Sequence, residues 1–339
     1  MQKKYRWEKM PENELLDLRI CDLKLTLKGS RLEKNIAKLK KELELKKMRF
    51  CPHFWISDEW YTPDGVPGMA IPFYLVHPRL LKLEQKMVVE AEGATFDWAM
   101  KLVRHETGHA IDNAYHLRKN KRRQKLFGLT SVPYPDDYAP RPFSKKFVTH
   151  LDSWYAQAHP DEDWAETFAV WLTPKSGWKK RYSKWPAIKK LILLDEIMQE
   201  IRSTKPLVTN KYKDRPANEM KTTLKSYYKR KREKLGVDNP TFFAGDLYKI
   251  FSTQEKYNSN PSAARFIRLH RKEICQQVAR WTSLYQYNIS QILDEMIDFC
   301  VERNLRLKQS DKKTKMDFIS MMTAQTMNYL MSGQHRIIM

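Results

Sequence analysis

The sequence predicts an α+β protein, with strand-like runs ahead of a long helix and an all-helical C-terminal part after it. Three observations carry this expectation. Two strand-like runs fall close together, MAIPFYLV at 69–76 and MVVEAE at 87–92, the second alternating with period two. Directly after them, 95–119 is free of proline and sets Trp98, Leu102, Val103, Ala110, Ile111, Ala114 and Tyr115 at helical spacing, with Thr95 or Asp97 as candidate cap. Beyond Pro206 the texture changes to successive helix-like segments at 217–234, 241–252, 261–281, 285–307 and 311–333. The expected division is therefore a first domain over 1–205, its core at about 50–205, and a basic helical domain over 206–339.

In chain order, KGSRLEKNIAKLKKELELKKM places Leu32, Ile36, Leu39 and Leu43 at helical spacing between lysines. This reads as an amphipathic helix packed on the core, too short for a coiled coil. Pro72 suits an edge strand, where a missing N–H is tolerated. The run from Asp161 to Trp171 reads as a second helix, with Trp164, Phe168 and Trp171 at i, i+4 and i+7 forming its buried stripe.

Composition sets outer bounds. A chain of 339 residues with 42% hydrophobic and 12% aromatic content supports about two globular cores. Cys21, Cys51, Cys275 and Cys300 lie apart without a C-x-x-C pair, which argues against a zinc ribbon and a disulfide scaffold. No basic start leads into a hydrophobic signal core, and no apolar run is long enough to span a bilayer, so a reducing cytoplasm is the expected compartment. The formal charge of +22 lies almost wholly outside 51–200, where 21 basic side chains meet 19 acidic ones. KSYYKRKREK at 225–234 interleaves aromatics with basic residues, a face that could hold nucleic acid or an acidic partner. LRKNKRRQK at 117–125 continues or ends the motif helix and could draw acidic substrates.

The chemistry is concentrated in His105-Glu106-Thr107-Gly108-His109. Residues four apart on a helix lie one turn above each other, so both imidazoles can face one metal while Glu106 sits beside the open position. A catalytic zinc wants three protein ligands and one position for water. The metzincin pattern would need glycine at 112 and histidine at 115, where this chain has Asp112 and Tyr115, and His116 is out of register. Downstream, Glu162 and Glu166 stand one turn apart, so one carboxylate can bind zinc while the other accepts the ring N–H of a ligating histidine. Glu162 is assigned to the metal and Glu166 to the histidine. His150 and His159 flank the same region and could serve as oxyanion donors or substrate contacts, with a structural or exposed place as the preferred reading, and Asp112 could orient a ligand or cap a polar contact.

These residues resemble the gluzincins, zinc peptidases with two histidines from HExxH and a downstream glutamate. RHETGHAIDNAYHL, PYPDDYAPRPFS at 133–144, FVTHLDSWYAQAHPDEDWAETFAVWLTP at 147–174 and WPAIKKLILLDEIM at 185–198 resemble a zinc-binding metallopeptidase family known mainly from bacterial genomes, over roughly 11–205. The window Tyr155, Glu162, Glu166 is also similar to the site of anthrax lethal factor, which implies Glu162 as ligand and Tyr155 facing the reacting carbonyl. The resemblance implies a gluzincin-like peptidase domain with a small mixed sheet whose edge strand lies over the HExxH helix, so that the backbone of Ala70 to Leu75 could pair with an extended peptide; it also implies one zinc ion per chain and a peptide or protein substrate.

The expected mechanism has zinc hold a water and polarise the scissile carbonyl while Glu106 moves the water's proton to the leaving amine. Tyr155 is the first candidate donor to the oxyanion, with a core tyrosine as its other reading. The alternative function is a non-catalytic protein that keeps zinc for structure and acts through its basic flanks on nucleic acid or an acidic partner. The same ligands could also attack an ester or a non-peptide amide.

Overall fold

The computed structural model describes residues 5–135, 137–138, 140–141, 143–235, 244–282, 284–331 and 337–338. The chain divides into two compact units, one of Met1–Glu84, Ala91–Tyr227 and Ile337–Met339, the other of Gln85–Glu90 and Tyr228–Arg336.

The first unit begins with α1 (Glu12–Asp17) and α2 (Leu32–Leu45), whose Leu32, Leu39 and Leu43 are buried as the heptad-like spacing predicts. β1 (His53–Ser57) and β2 (Gly68–Pro72) pair in parallel, and Tyr61 adds an antiparallel bridge to Ala70, giving a small mixed sheet. α3 (Pro78–Val88), α4 (Phe96–Tyr115), α5 (Lys121–Phe127), α6 (Pro160–Leu172), α7 (Trp178–Arg181) and α8 (Ile188–Ile201) follow. A single core joins Val103, Ala110, Ile111 and Ala114 of α4 to Trp164, Phe168 and Trp171 of α6 and to Leu191, Leu194 and Ile197 of α8. Short β3 (Asp137–Tyr138) pairs with β6 (Ile337–Ile338).

Two expectations about the sheet are corrected. The strand at 87–92 does not form, because Leu80, Leu83, Glu84 and Val88 are buried at helical spacing and that longer pattern carries α3 through to Val88, where Val89 turns out at φ 65°. Strand 69–76 is likewise shorter, ending at Pro72 before a 3-10 turn over Phe73–Leu75. β2 is buried at all five positions and the Ala70 amide already donates to Tyr61 O at 2.8 Å, so Ala70 to Leu75 is not a free edge for a peptide. β1 was not foreseen as a strand.

The chain from 207 to 223 stays with the first unit as irregular backbone with a turn at 217–219. Leu207 N donates to Ala114 O at 2.9 Å, Trp55 Nε1 to Asp214 O at 2.8 Å, Ala217 N to Ile56 O at 2.7 Å and Leu224 N to Leu18 O at 2.9 Å. The division between units thus falls at Tyr227/Tyr228, later than the change in sequence texture at 205/206.

α9 (Leu224–Leu235) spans that division, and α10 (Ala244–Ile250), α11 (Ala263–Thr282), α12 (Gln286–Glu302) and α13 (Asp311–Met331) build the second unit. Its own core gathers Leu247, Phe251, Phe266, Ile274, Leu293, Met296 and Phe318, with β4 (Phe251–Ser252) pairing antiparallel to β5 (Arg306–Leu307). The expected helical positions 241–243 and 332–333 lie outside the described residues. In α9 both Tyr227 and Tyr228 are buried, so the exposed face presents Lys225, Lys229, Arg230, Arg232 and Lys234 without aromatics. Aromatics and basic residues therefore do not interleave on the exposed face of α9. Among the described residues, no helix is long and apolar enough to cross a membrane.

Candidate metal centre

Local sequence starts and stops the two helices that make the site. Thr95 caps α4, its hydroxyl accepting from Trp98 N at 3.2 Å, and His116 ends the helix in the left-handed region at φ 52°. α6 starts with Pro160 at its first turn, where a missing N–H costs nothing, and His159 Nδ1 accepts from Asp161 N at 3.1 Å. Asp161, Glu162 and Asp163 place negative charge at the positive end of the helix dipole.

The two helices pack tightly where α4 carries Gly108. A Cβ built there would lie 2.8 Å from Ala165 Cα, and Trp164 Nε1 donates to Gly108 O at 3.0 Å. One of the two variable positions of HExxH thus sets the helix separation that brings the imidazoles to the carboxylates.

His105, His109 and Glu162 converge in a buried group able to hold a metal ion. His105 Nε2 lies 3.0 Å and His109 Nε2 3.3 Å from Glu162 Oε2, and the two nitrogens are 3.1 Å apart. Tetrahedral ligands at zinc bond lengths of ~2.0–2.1 Å would stand about 3.3 Å from one another, so the spacing fits. Glu166 Oε1 lies 2.8 Å from His105 Nδ1 and its Oε2 accepts from Leu151 N at 2.8 Å. A carboxylate only accepts, so Nδ1 of His105 donates to Glu166, and in the neutral ring Nε2 is the nitrogen left with a lone pair for a metal. The donor set, two imidazole nitrogens and a carboxylate, is one that zinc takes at catalytic sites.

The three side chains favour one another's charged forms. Burial disfavours a charged imidazole, yet the carboxylates of Glu162 and Glu166 outweigh it at His105 and hold that ring well above the usual histidine range. Burial likewise opposes charge on His109, and Glu162 raises it nonetheless. Glu162 is the counterpart: burial pushes its carboxyl up, and the two histidines overcome this and hold it well below the carboxylate range.

Glu106 stays outside the donor group, its Oε2 accepting from Thr62 Oγ1 at 2.8 Å. The Tyr155 ring stands 5.6 Å from that of His105, and its phenol is raised well above the ordinary value by burial and then by Glu162 and Glu106. Tyr134, which sequence reasoning passed over, donates to Glu162 Oε1 at 3.0 Å and stacks on His159 at 3.7 Å. Burial and then the Glu162 and Asp161 carboxylates push its phenol far up, so it remains a donor.

The remaining predicted neighbours are structural. His150 Nε2 donates to Lys101 O at 3.0 Å, and His159 donates through Nε2 to Val132 O at 2.8 Å while capping α6. Asp112 does not touch a ligand. It shares the buried Arg123 with Asp161, each contact at 2.8 Å, and Arg118 approaches the same two carboxylates at 3.4 and 3.2 Å. Two cations of the basic run at 117–125 are thus committed to tying α4 to the start of α6, and Arg122 pairs with Glu200 at 2.6 Å on the surface. That leaves the run less charge to offer an acidic substrate.

Residues 100–179, which span most of α4 through α6, match the sequence model of a family described as "Putative zinc-binding metallo-peptidase". The fold and site accordingly define a helix-rich α+β protein with a buried group of two histidines and a glutamate able to hold a metal ion, within a segment similar to that family. No curated protein and no solved structure matches the chain.

Proposed function

We propose that this protein is a zinc-dependent metallopeptidase of the HExxH…Glu type, holding one zinc ion through His105, His109 and Glu162 and hydrolysing peptide bonds. The observation that carries this reading is the separation of roles on one helix turn: two imidazoles meet Glu162, while the Glu106 carboxylate is kept out of the donor group by Thr62. A purely structural zinc site is usually closed by four protein ligands and has no use for a free carboxylate beside it.

When bound, zinc supplies a Lewis acid that acidifies water and polarises a carbonyl. Glu106 accepts the proton of the attacking water and delivers it to the leaving amine. Glu166 fixes the orientation of His105 through Nδ1. The Tyr155 hydroxyl, kept protonated by its buried surroundings, donates to the oxyanion that forms on the substrate carbonyl. The substrate is a peptide or protein.

Glu106→Gln tests the reading, because it keeps the shape of the side chain and removes its basicity. The variant should retain one zinc per chain by elemental analysis and lose peptide turnover by at least a hundredfold, within the range that general bases contribute. A wild-type protein that folds without zinc, or a variant as active as wild type, would sink the proposal.

A further inference from the structure

We infer that Tyr134 is a positioning residue of the metal centre, holding Glu162 so that a single carboxylate oxygen faces the two histidines. The inference rests on the zinc reading of the site and extends it to a loop residue outside both motif helices. The two oxygens of Glu162 have different surroundings: Oε2 lies 3.0 and 3.3 Å from the histidine nitrogens, while Oε1 accepts the Tyr134 hydroxyl at 3.0 Å. A carboxylate can bind a metal through one oxygen or both, and occupying the second with a hydrogen-bond donor biases it to one. One-oxygen binding is what leaves a fourth position open for water.

Tyr134 can do this although its side chain is half exposed, because its ring rests on a fixed support. The phenol ring stacks on the His159 imidazole with 3.7 Å between centroids and 17° between planes. His159 is anchored at both nitrogens, through Asp161 N at 3.1 Å and Val132 O at 2.8 Å. The same histidine is the N-cap of α6, three residues before Glu162, so the ring's support and the carboxylate it meets belong to one helix end. A tyrosine at neutral pH carries its proton and can only donate to a carboxylate.

The test uses full-length wild type, Tyr134→Phe and Glu162→Ala. Zinc affinity is read by competition with a chromophoric chelator, and coordination by the visible spectrum of the cobalt(II)-substituted protein. Phenylalanine keeps the stacked ring, so metal-free Tyr134→Phe should melt as wild type does. It should bind zinc about ten- to a hundredfold more weakly, and its cobalt absorption should fall as the freed Glu162 oxygen raises the coordination number. Wild-type affinity together with a wild-type spectrum would overturn the inference, as would weaker binding with an unchanged spectrum, which would mean general loosening. If wild type itself takes up no zinc, the reading of the site falls first and this inference with it.

Discussion

Glu162 and Glu166 are identical side chains one helix turn apart, and they differ only in what their oxygens meet. Glu166 spends both on fixed donors, the His105 ring and the Leu151 amide, whereas Glu162 Oε2 faces the histidine pair. Glu162→Ala should therefore lose most of the zinc, and Glu166→Ala should weaken metal affinity by roughly ten- to a hundredfold while keeping the site. Zinc titration of the two variants checks the order, and the reverse ranking would show the assignments exchanged. At this scale His105, Glu106 and His109 were legible in the sequence because a local helical repeat fixes their geometry, and Glu162 and Glu166 because they repeat the same spacing. Thr62 and Tyr134 were not: their contacts cross 44 and 28 residues of chain, and such contacts leave no periodic trace.

At the scale of elements, the α4–α6 contact decides whether the ligands meet. Gly108 lets Ala165 approach to a distance that a side chain would forbid, with backbone rather than a yielding side chain on the other side. Gly108→Ala would gain helix propensity of about 1 kcal/mol on α4 and yet should destabilise the folded protein, because overpacking of this kind costs about 1–3 kcal/mol. The displaced helices should also bind zinc more weakly. Chemical denaturation and zinc titration of this variant are the measurements, and wild-type affinity would show that the close approach is not needed. The caps of α4, the buried stripe of α6 and the C-terminal helices could be read from period and end signals. The strand expected at 87–92 could not, because a six-residue alternation competes with a longer helical pattern that starts at Pro78, and burial of Leu80, Leu83, Glu84 and Val88 settles the contest.

Across the whole molecule, each of the two compact units has a large hydrophobic core of its own among the described residues, and the units should therefore respond differently to metal. On the proposed function, zinc binding to the folded site should stabilise the unit that carries it by RT ln(1 + [Zn]/Kd), about 2.7 kcal/mol at a hundredfold excess over Kd. Calorimetry with zinc and then with chelator should show two transitions, with only the one belonging to the first unit moving. One transition that shifts as a whole would count against two independently folding domains. The sequence by itself determined the α+β class, the motif helix, its partner helix and the residue types that zinc chemistry needs, because these depend on local period, capping and side-chain chemistry. Only the tertiary structure decided that 206–227 returns to the first unit, that β2 offers no free edge at Ala70, that the tyrosines of α9 face inward and that Arg118 and Arg123 are committed to buried carboxylates. Each of those outcomes depends on which distant surface buries a given backbone or side chain, and that is a property of packing rather than of any stretch of chain.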